Sequence, residues 1–342
     1  MLVYGLCLEK IASKKPDSYR RHLSSPELSK RNDMILEYCH NDDFNFGDDL
    51  NKWLWPKLLE DCLDPSDNIY LVGIGTLLTA KRFNKTLSQA KKIVIFSSGS
   101  WERDYPELDE KALVYGVRGP RTAKRLGISE SFVVGDGAYL LRTLELPPAK
   151  TSHKTAFIPH HRSEQYVEWE AICEAAGLKF VSTRQSVDQF IAEIRSCEKV
   201  ISEAMHGAIA ADAFRIPWVA ARFASNFNED KWLDWSEALE IKLQLHALPT
   251  IYQKPQPFQK SLENYIKKIA PGFIRKTEKW RSLPVAFRKA SNAEVNDLVL
   301  ALKVLDAEAK TSLSSEAKVT EITEKLCKQV KKLATDYRNG YI

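Results

Sequence analysis

No apolar run in this 342-residue chain approaches the ~20 residues that a membrane-spanning helix needs. The opening stretch, MLVYGLCLEKIASKK, has a short apolar start with its charges after it. A secretory signal has the reverse order and a longer apolar core, so the expected location is the cytoplasm. Cysteine is sparse: the six residues, at positions 7, 39, 62, 173, 197 and 327, form no C-x-x-C pair, and none has a histidine at zinc-finger spacing. Scattered single cysteines argue against a structural zinc site and predict reduced, mostly buried thiols. There is no short repeat and no low-complexity tract. The basic stretches carry no interleaved aromatics, which argues against a nucleic-acid partner.

What is present is a globular mixture, 44% hydrophobic and 28% charged. The length suits two domains of roughly 150 residues each. The net charge of +5 is unevenly spread: residues 251–342 hold 18 Lys and Arg against 10 Asp and Glu, and residues 1–250 hold 32 against 35. Such a basic region is expected as a solvated helix face or as a contact for an anionic membrane surface.

Residues 1–33 are polar and turn-rich and read as an arm. MILEYCH (34–40) reads as a strand, and DDLNKWLWPKLLEDCL puts Leu50, Trp53, Leu54, Leu58 and Leu59 on one helix face. NIYLVGIGTLL, KKIVIFSSGS and ALVYGVRGPRTAKRLG continue the alternation of strand, turn and helix, the last helix stopping at Gly127. SFVVGDGAYLL reads as a further strand running into a polar turn. LELPPAKTSHK (144–154), with two prolines, is the linker. Beyond it, strands TAFIPHH, LKFVST, EKVISE and IPWVAAR enclose helices SEQYVEWEAICEAAG, SVDQFIAEIRSC and MHGAIAADAFR.

Strands and helices at this spacing predict parallel sheets covered by helices. The expected fold is therefore α/β: an arm over 1–33, a Rossmann-like domain over 34–148, a second over 149–245 facing it across a central cleft, and a helical basic extension over 246–342. In that extension KVTEITEKLCKQVKKL gathers Val319, Ile322, Leu326, Val330 and Leu333 on one side. Packing on the body is the default for such a helix; pairing with a partner or lying on a membrane are the alternatives.

Five strand-end segments hold candidate residues, and in open α/β sheets ligands bind beyond the carboxyl ends of the strands. DDFNFGDDLN (42–51) offers Asn45, Gly47 and Asp48 in a turn and cap whose free amides suit an anion or a sugar hydroxyl. GIGT (73–76) opens like a dinucleotide fingerprint, but Leu78 stands where a third glycine belongs, and no acidic residue follows at the right distance. A backbone turn at Gly75 that lets a ligand approach fits better than a nicotinamide site. VRGPRTAKR (117–125) puts Arg118 at a strand end and Arg121 in the first helical turn, where a cation opposes the helix dipole unless an anion is near. IPHHRS (158–163) brings His160, His161 and Arg162 to another strand end. Adjacent histidines on a strand point to opposite sides, so one is expected to face the cleft. The group suits a phosphate or carboxylate, and no third ligand has convincing spacing for a metal. SEAMHGA (202–208) sets Glu203 and His206 before an alanine-rich helix, with Gly207 among the small residues that permit close approach. Each segment also reads as an ordinary cap, an exposed arginine or a structural histidine.

Taken in order, NFGDDLNKWLW, GIGTLL, SSGS, VRGPRTAKRLG, GDGAYLL, FIPHH and SEAMHGAIAADAFRIPW resemble the polysaccharide pyruvyltransferase family, in particular its ketal-pyruvyltransferases of succinoglycan type. The resemblance runs over residues 34–245. It implies a GT-B-like pair of Rossmann-type domains. The implied reaction transfers a pyruvyl group from phosphoenolpyruvate to two hydroxyls of a sugar in an exopolysaccharide repeat unit, giving a cyclic ketal and phosphate. No metal is implied, and no cofactor besides the donor phosphoenolpyruvate. The family's R-L-H histidine matches His206, with Ala204 where many relatives carry arginine.

On that resemblance, His206 is the acid for the donor or the escort of its phosphate, and Glu203 or Asp48 the base for the acceptor. The donor's two anionic groups call for cations and free N–H groups, for which Arg118, Arg121, His160, His161, Arg162, Gly207, Gly75 and Ser98 are the candidates. Asn45, Trp101 and Trp232 are expected at the acceptor, the tryptophans stacking on a sugar face; for Trp232 and Trp235 core burial is the alternative. The acceptor is expected on a lipid, a lipid-linked oligosaccharide or polysaccharide. That gives the basic C-terminal region a peripheral role at the inner face of the cell membrane. The competing expectations are a nucleotide-sugar glycosyltransferase of the same plan and a non-catalytic carbohydrate- or partner-binding protein, which Ala204 favours.

Overall fold

The computed structural model describes residues 34–40, 44–59, 62–63, 68–223, 227–254, 257–269 and 284–342; the expected arm over 1–33 lies outside them. The apolar runs become two parallel sheets. The first holds β1 (Met34–Glu37), β2 (Ile69–Val72), β3 (Lys92–Ser98) and β4 (Ala112–Val117), in that spatial order. The second holds β5 (His153–Ile158), β6 (Lys179–Phe180), β7 (Cys197–Ser202), β8 (Trp218–Arg222) and β9 (Leu245–Ala247), in the order β6-β5-β7-β8-β9. Every strand pairing within them is parallel. A strand such as β3, KIVIFSS, is buried along almost its whole length because helices cover both faces.

The helices are α1 (Phe46–Leu58), α2 (Ala80–Lys85), α3 (Pro120–Arg125), α4 (Trp169–Ala176), α5 (Val187–Ile194), α6 (Met205–Ala213), α7 (Glu229–Ala238), α8 (Phe258–Ile269), α9 (Asn292–Glu308) and α10 (Glu316–Arg338). The alternation read from the sequence is present, with one clear departure. SFVVGDGAYLL contributes a single bridge, Val117 to Val133, instead of a strand. Gly135, at φ 85°, turns the chain out of the sheet, and the Asp136 carboxylate accepts from the Ala138 amide to start a 3-10 turn over Gly137–Thr143.

The two halves share one apolar core. Trp55 of α1, Tyr139, Ile209 of α6, Trp235 of α7 and Leu326 of α10 belong to a single buried cluster. Within α10, Val319, Ile322, Leu326, Val330 and Leu333 are buried, packed over the 3-10 turn and β4 of the first half. Tyr115 of β4 donates to Asp336 at 2.6 Å. This packing uses up the face that a membrane or partner would need, so α10 is not the membrane-lying helix offered as an alternative. Helix α9 covers the second half instead, its Leu298, Leu302 and Leu305 against Ile172 and Cys173 of α4. The second domain expected to end at 245 has its fifth strand, β9, beginning there.

Buried Asp212 ties the halves together. It accepts from the Tyr139 hydroxyl (3.0 Å), the Trp218 indole (3.0 Å), and the amide (2.8 Å) and hydroxyl (2.5 Å) of Ser314. A buried carboxylate is tolerable only when its lone pairs are used in this way. The five described cysteines are free thiols; Cys62, Cys173 and Cys197 are buried, and burial pushes the Cys173 thiol up to about 12.

Candidate active site

The second sheet reverses its strand order at β5, so a crevice opens beyond the carboxyl ends of β5 and β7, the usual ligand position in such sheets. The chain leaves β7 in a fixed turn. The Glu203 and Ala204 amides both donate to the Ile158 carbonyl (2.8 and 3.4 Å), and the Ser202 hydroxyl donates to the Ala204 carbonyl at 2.7 Å. The buried Glu203 carboxylate accepts from the His160 amide at 2.9 Å, so the two strand ends hold each other. A Cβ at Gly207 would lie 2.5 Å from the Ser202 Oγ, so its glycine lets α6 start directly on the strand end.

His206, the second residue of α6, points at the first half. A Cβ on Gly47 would stand 2.1 Å from its Nδ1, so the imidazole lies flush against the start of α1. Its Nε2 is 3.7 Å from the Oδ2 of Asp136, an ion-pair distance, and neither atom has a hydrogen-bond partner among the described residues. Burial pushes the Asp136 carboxyl up, but His206, then Arg118 and the Ala138 amide, outweigh it and hold the group below the usual carboxylate range.

Arg118, at the end of β4, is fully buried. Its Nε donates to Asp234 of α7 at 3.0 Å and its Nη1 to Thr76 at 3.0 Å. Among the described residues its Nη2 has no acceptor. A Cβ on Gly99 would sit 2.2 Å from that nitrogen, so only glycine leaves room for the guanidinium. Asp234 also takes the Thr122 amide (2.9 Å) and hydroxyl (2.8 Å), which fixes α7 across the start of α3.

That crossing delivers Lys231. Its ammonium is half-buried and makes no hydrogen bond or ion pair among the described residues. Burial, with Arg118 and Arg162 nearby, brings it down to about 8 against the opposing pull of Asp48 and Glu203. His160 is held well below 6.5, first by burial, then by Lys231, His161 and Arg162, and is therefore a neutral imidazole at pH 7. Its Nδ1 accepts from the Arg162 amide at 3.3 Å, which leaves Nε2 as the N–H donor. The cations Arg118, Arg162 and Lys231 thus come from three separate chain segments, and their fields overlap with those of Asp48 and Glu203.

Other candidates fall differently. His160 and His161 were expected on opposite sides of a strand. They lie past its end, in a turn, with ring centroids 4.3 Å apart. Arg121 spends its donors on Glu237 (2.6 Å) and Asp230 (3.2 Å) of α7, so it braces two helices rather than awaiting an anion. The Ser98 hydroxyl is engaged within the protein: it donates to the Gly75 carbonyl (3.2 Å) and accepts from the Leu77 amide (3.3 Å). Gly75, at φ 130°, makes the turn that this bond closes. Trp232 is completely buried between Trp218, Trp235 and Phe227, with no face open to a sugar, which corrects its placement at the acceptor. Trp101 is exposed on the loop after β3. Asn45 precedes α1 and donates from its side chain to Asp48 at 2.5 Å.

Sequence reasoning passed over Lys231, Asp136 and Asp234. Lys231 carried a usable signal, a lysine in the first turn of a helix, the same conflict with the helix dipole that drew attention to Arg121. Among the described residues no group of three or more His, Cys, Asp or Glu is arranged to hold a metal ion, and no helix is long and apolar enough to cross a membrane.

The polysaccharide pyruvyl transferase family profile matches residues 11–222. The chain is 34% identical over 215 residues to the succinoglycan biosynthesis protein ExoV of Rhizobium meliloti (strain 1021), which is 62% of this chain and 67% of that protein. Among solved structures it is similar to a functional uncharacterized protein, KP1_0663, from Klebsiella pneumoniae subsp. pneumoniae NTUH-K2044, at 16% identity and a TM-score of 0.38, over 60% of this chain and 88% of that one. The family match sets aside the glycosyltransferase and non-catalytic expectations. With Arg118 buried and partly unpaired at the end of β4, and with the family profile matching residues 11–222, the chain belongs to the polysaccharide pyruvyl transferase family, in the branch of the succinoglycan protein, and is a pyruvyltransferase.

Proposed function

We propose that the chain transfers the pyruvyl group of phosphoenolpyruvate to two hydroxyls of one sugar in an exopolysaccharide repeat unit carried on a lipid, within a GT-B-like pairing of its two halves. The observation that carries this reading is a pair of buried nitrogens with no hydrogen-bond partner among the described residues, the Arg118 Nη2 and the His206 Nε2, with the Lys231 ammonium close to Arg118. A buried guanidinium nitrogen with no acceptor costs free energy unless a ligand supplies one. Phosphoenolpyruvate brings a carboxylate and a phosphate, enough acceptors for all three. Lys231 then provides the cation that Ala204 does not.

The chemistry balances without an oxidant or reductant. The first sugar hydroxyl bonds to donor C2 while C3 gains a proton and becomes a methyl group. The second hydroxyl then displaces phosphate at C2, and its proton leaves with the phosphate. Protonated His206 gives the proton to C3, with Asp136 orienting the ring. Asp48, half-buried at the start of α1, takes the proton of the attacking hydroxyl. Glu203, committed to the His160 amide, holds the turn. Lys231, Arg118 and Arg162 stabilise the charge that collects on the departing phosphate. Trp101 offers a face for the sugar.

The test is incubation with phosphoenolpyruvate and lipid-linked oligosaccharides from an exopolysaccharide-producing cell. The expected result is one pyruvyl ketal per repeat in the mass spectrum and one phosphate released for each. Phosphate release without a mass gain, or a mass gain with other donors and none with phosphoenolpyruvate, overturns it.

A further inference from the structure

Helix α8 is inverted. Its protein-facing residues are polar: Ser261 and Asn264 are 0% and 1% exposed, and their side chains donate to the carbonyls of Ala286 and Pro284, each at 2.8 Å. Its apolar residues point outward, with Phe258 64%, Leu262 40%, Tyr265 45%, Ile266 56% and Ile269 59% exposed. Their spacing puts them in one stripe along the helix. Phe287 widens the stripe, its ring centroid 5.6 Å from that of Phe258 and 5.9 Å from that of Tyr265. An apolar surface this continuous marks an interaction site.

The surrounding charge identifies the occupant. Residues 251–290 hold 10 Lys and Arg against 2 Asp and Glu, whereas residues 291–342 hold 8 against 8. Along the sequence, the basic surplus of the C-terminal region therefore falls in residues 251–290, the stretch that includes α8, and not in residues 291–342, which include α9 and α10. On α8 itself Glu263 is bridged by Lys260 and Lys267, so the acidic residue of the helix is already neutralised. Aromatic and aliphatic side chains flanked by lysine match a bilayer with anionic headgroups in both respects. The apolar stripe enters the boundary between headgroups and acyl chains, and the lysines meet the lipid phosphates.

We propose that α8 and Phe287 form a membrane-docking element that seats the chain on an anionic phospholipid bilayer. The proposal stands apart from the donor chemistry, because it concerns binding alone, and it assigns the membrane contact to α8 instead of α10.

The test is flotation of the full chain with vesicles of phosphatidylcholine alone and of phosphatidylcholine mixed with phosphatidylglycerol. Binding is expected to the mixed vesicles and to weaken at high salt. The double variant Leu262→Asp, Ile266→Asp is expected to lose about tenfold or more of that binding. Leu300→Asp, at an exposed leucine of α9, is expected to retain it. An unchanged unfolding midpoint confirms that the double variant is folded. Wild-type chain that stays off the mixed vesicles overturns the proposal. So does a folded double variant that binds as well as wild type. A wild-type dimer that the double variant dissociates, with no vesicle binding by either, would assign the stripe to contact between copies.

Discussion

His206, Gly47 and Lys231 carry the sharpest expectations at the scale of the residue. His206→Asn is expected to leave the unfolding midpoint near that of wild type while kcat falls by roughly 10²–10⁴, the usual contribution of a positioned acid. Gly47→Ala changes no ionisable group, yet its new methyl would occupy the place of the His206 ring. Turnover is expected to fall with stability little changed, and restoring the glycine restores it. Lys231→Met is expected to raise the KM for phosphoenolpyruvate about tenfold or more, with a smaller effect on kcat. The wild-type KM should climb as pH rises through about 8, where Lys231 loses its charge, and the variant should lack that rise. Stability moves the other way. Between about 8 and the ordinary lysine value of 10.5 the unfolded chain keeps a proton that the folded one has released. Raising pH through that window therefore stabilises wild type relative to Lys231→Met, as paired urea titrations would read. His206, His160, Arg118 and Asp48 were legible in the sequence because each lies beside the end of an apolar run. Asp136 and Lys231 were not, since their roles depend on which distant segment faces them.

At the scale of the element, α7 is the piece that the sequence hides. It follows β8 in the chain, and its periodicity shows only that one side is apolar. Nothing in NEDKWLDWSEA says that its Asp234 will lie against Arg118 and Thr122 of the other half. Hydrophobic period fixes which face is buried, and tertiary packing decides against what. Asp234→Ala removes one member of a fully buried ion pair and leaves Arg118 uncompensated, so a loss of about 3–5 kcal/mol is expected in urea unfolding. The alternation of strands and helices was readable because parallel strands buried on both faces are short continuous apolar runs. The segment around Val133 misled for the same reason: two valines look like a strand, and the glycine after them ends it.

For the whole molecule, the sequence separates two Rossmann-like stretches, and the structure braces them through a common core. The two sheets divide along the chain between β4 and β5, while α7 and α10 both return to the first half. Ending the chain before Glu316 is therefore expected to yield aggregated protein, seen as loss of the soluble monomer on size exclusion, because β4 and the turn after it would lose the residues that cover them. The same arrangement bears on synthesis at the ribosome. The first sheet is complete by Val117, yet the helix that packs over β4 begins at Glu316. At about 5–20 residues per second the nascent sheet would wait roughly ten to forty seconds with an apolar side open. Its native packing awaits α10, and a chaperone that shields emerging β-structure is the natural companion of that interval.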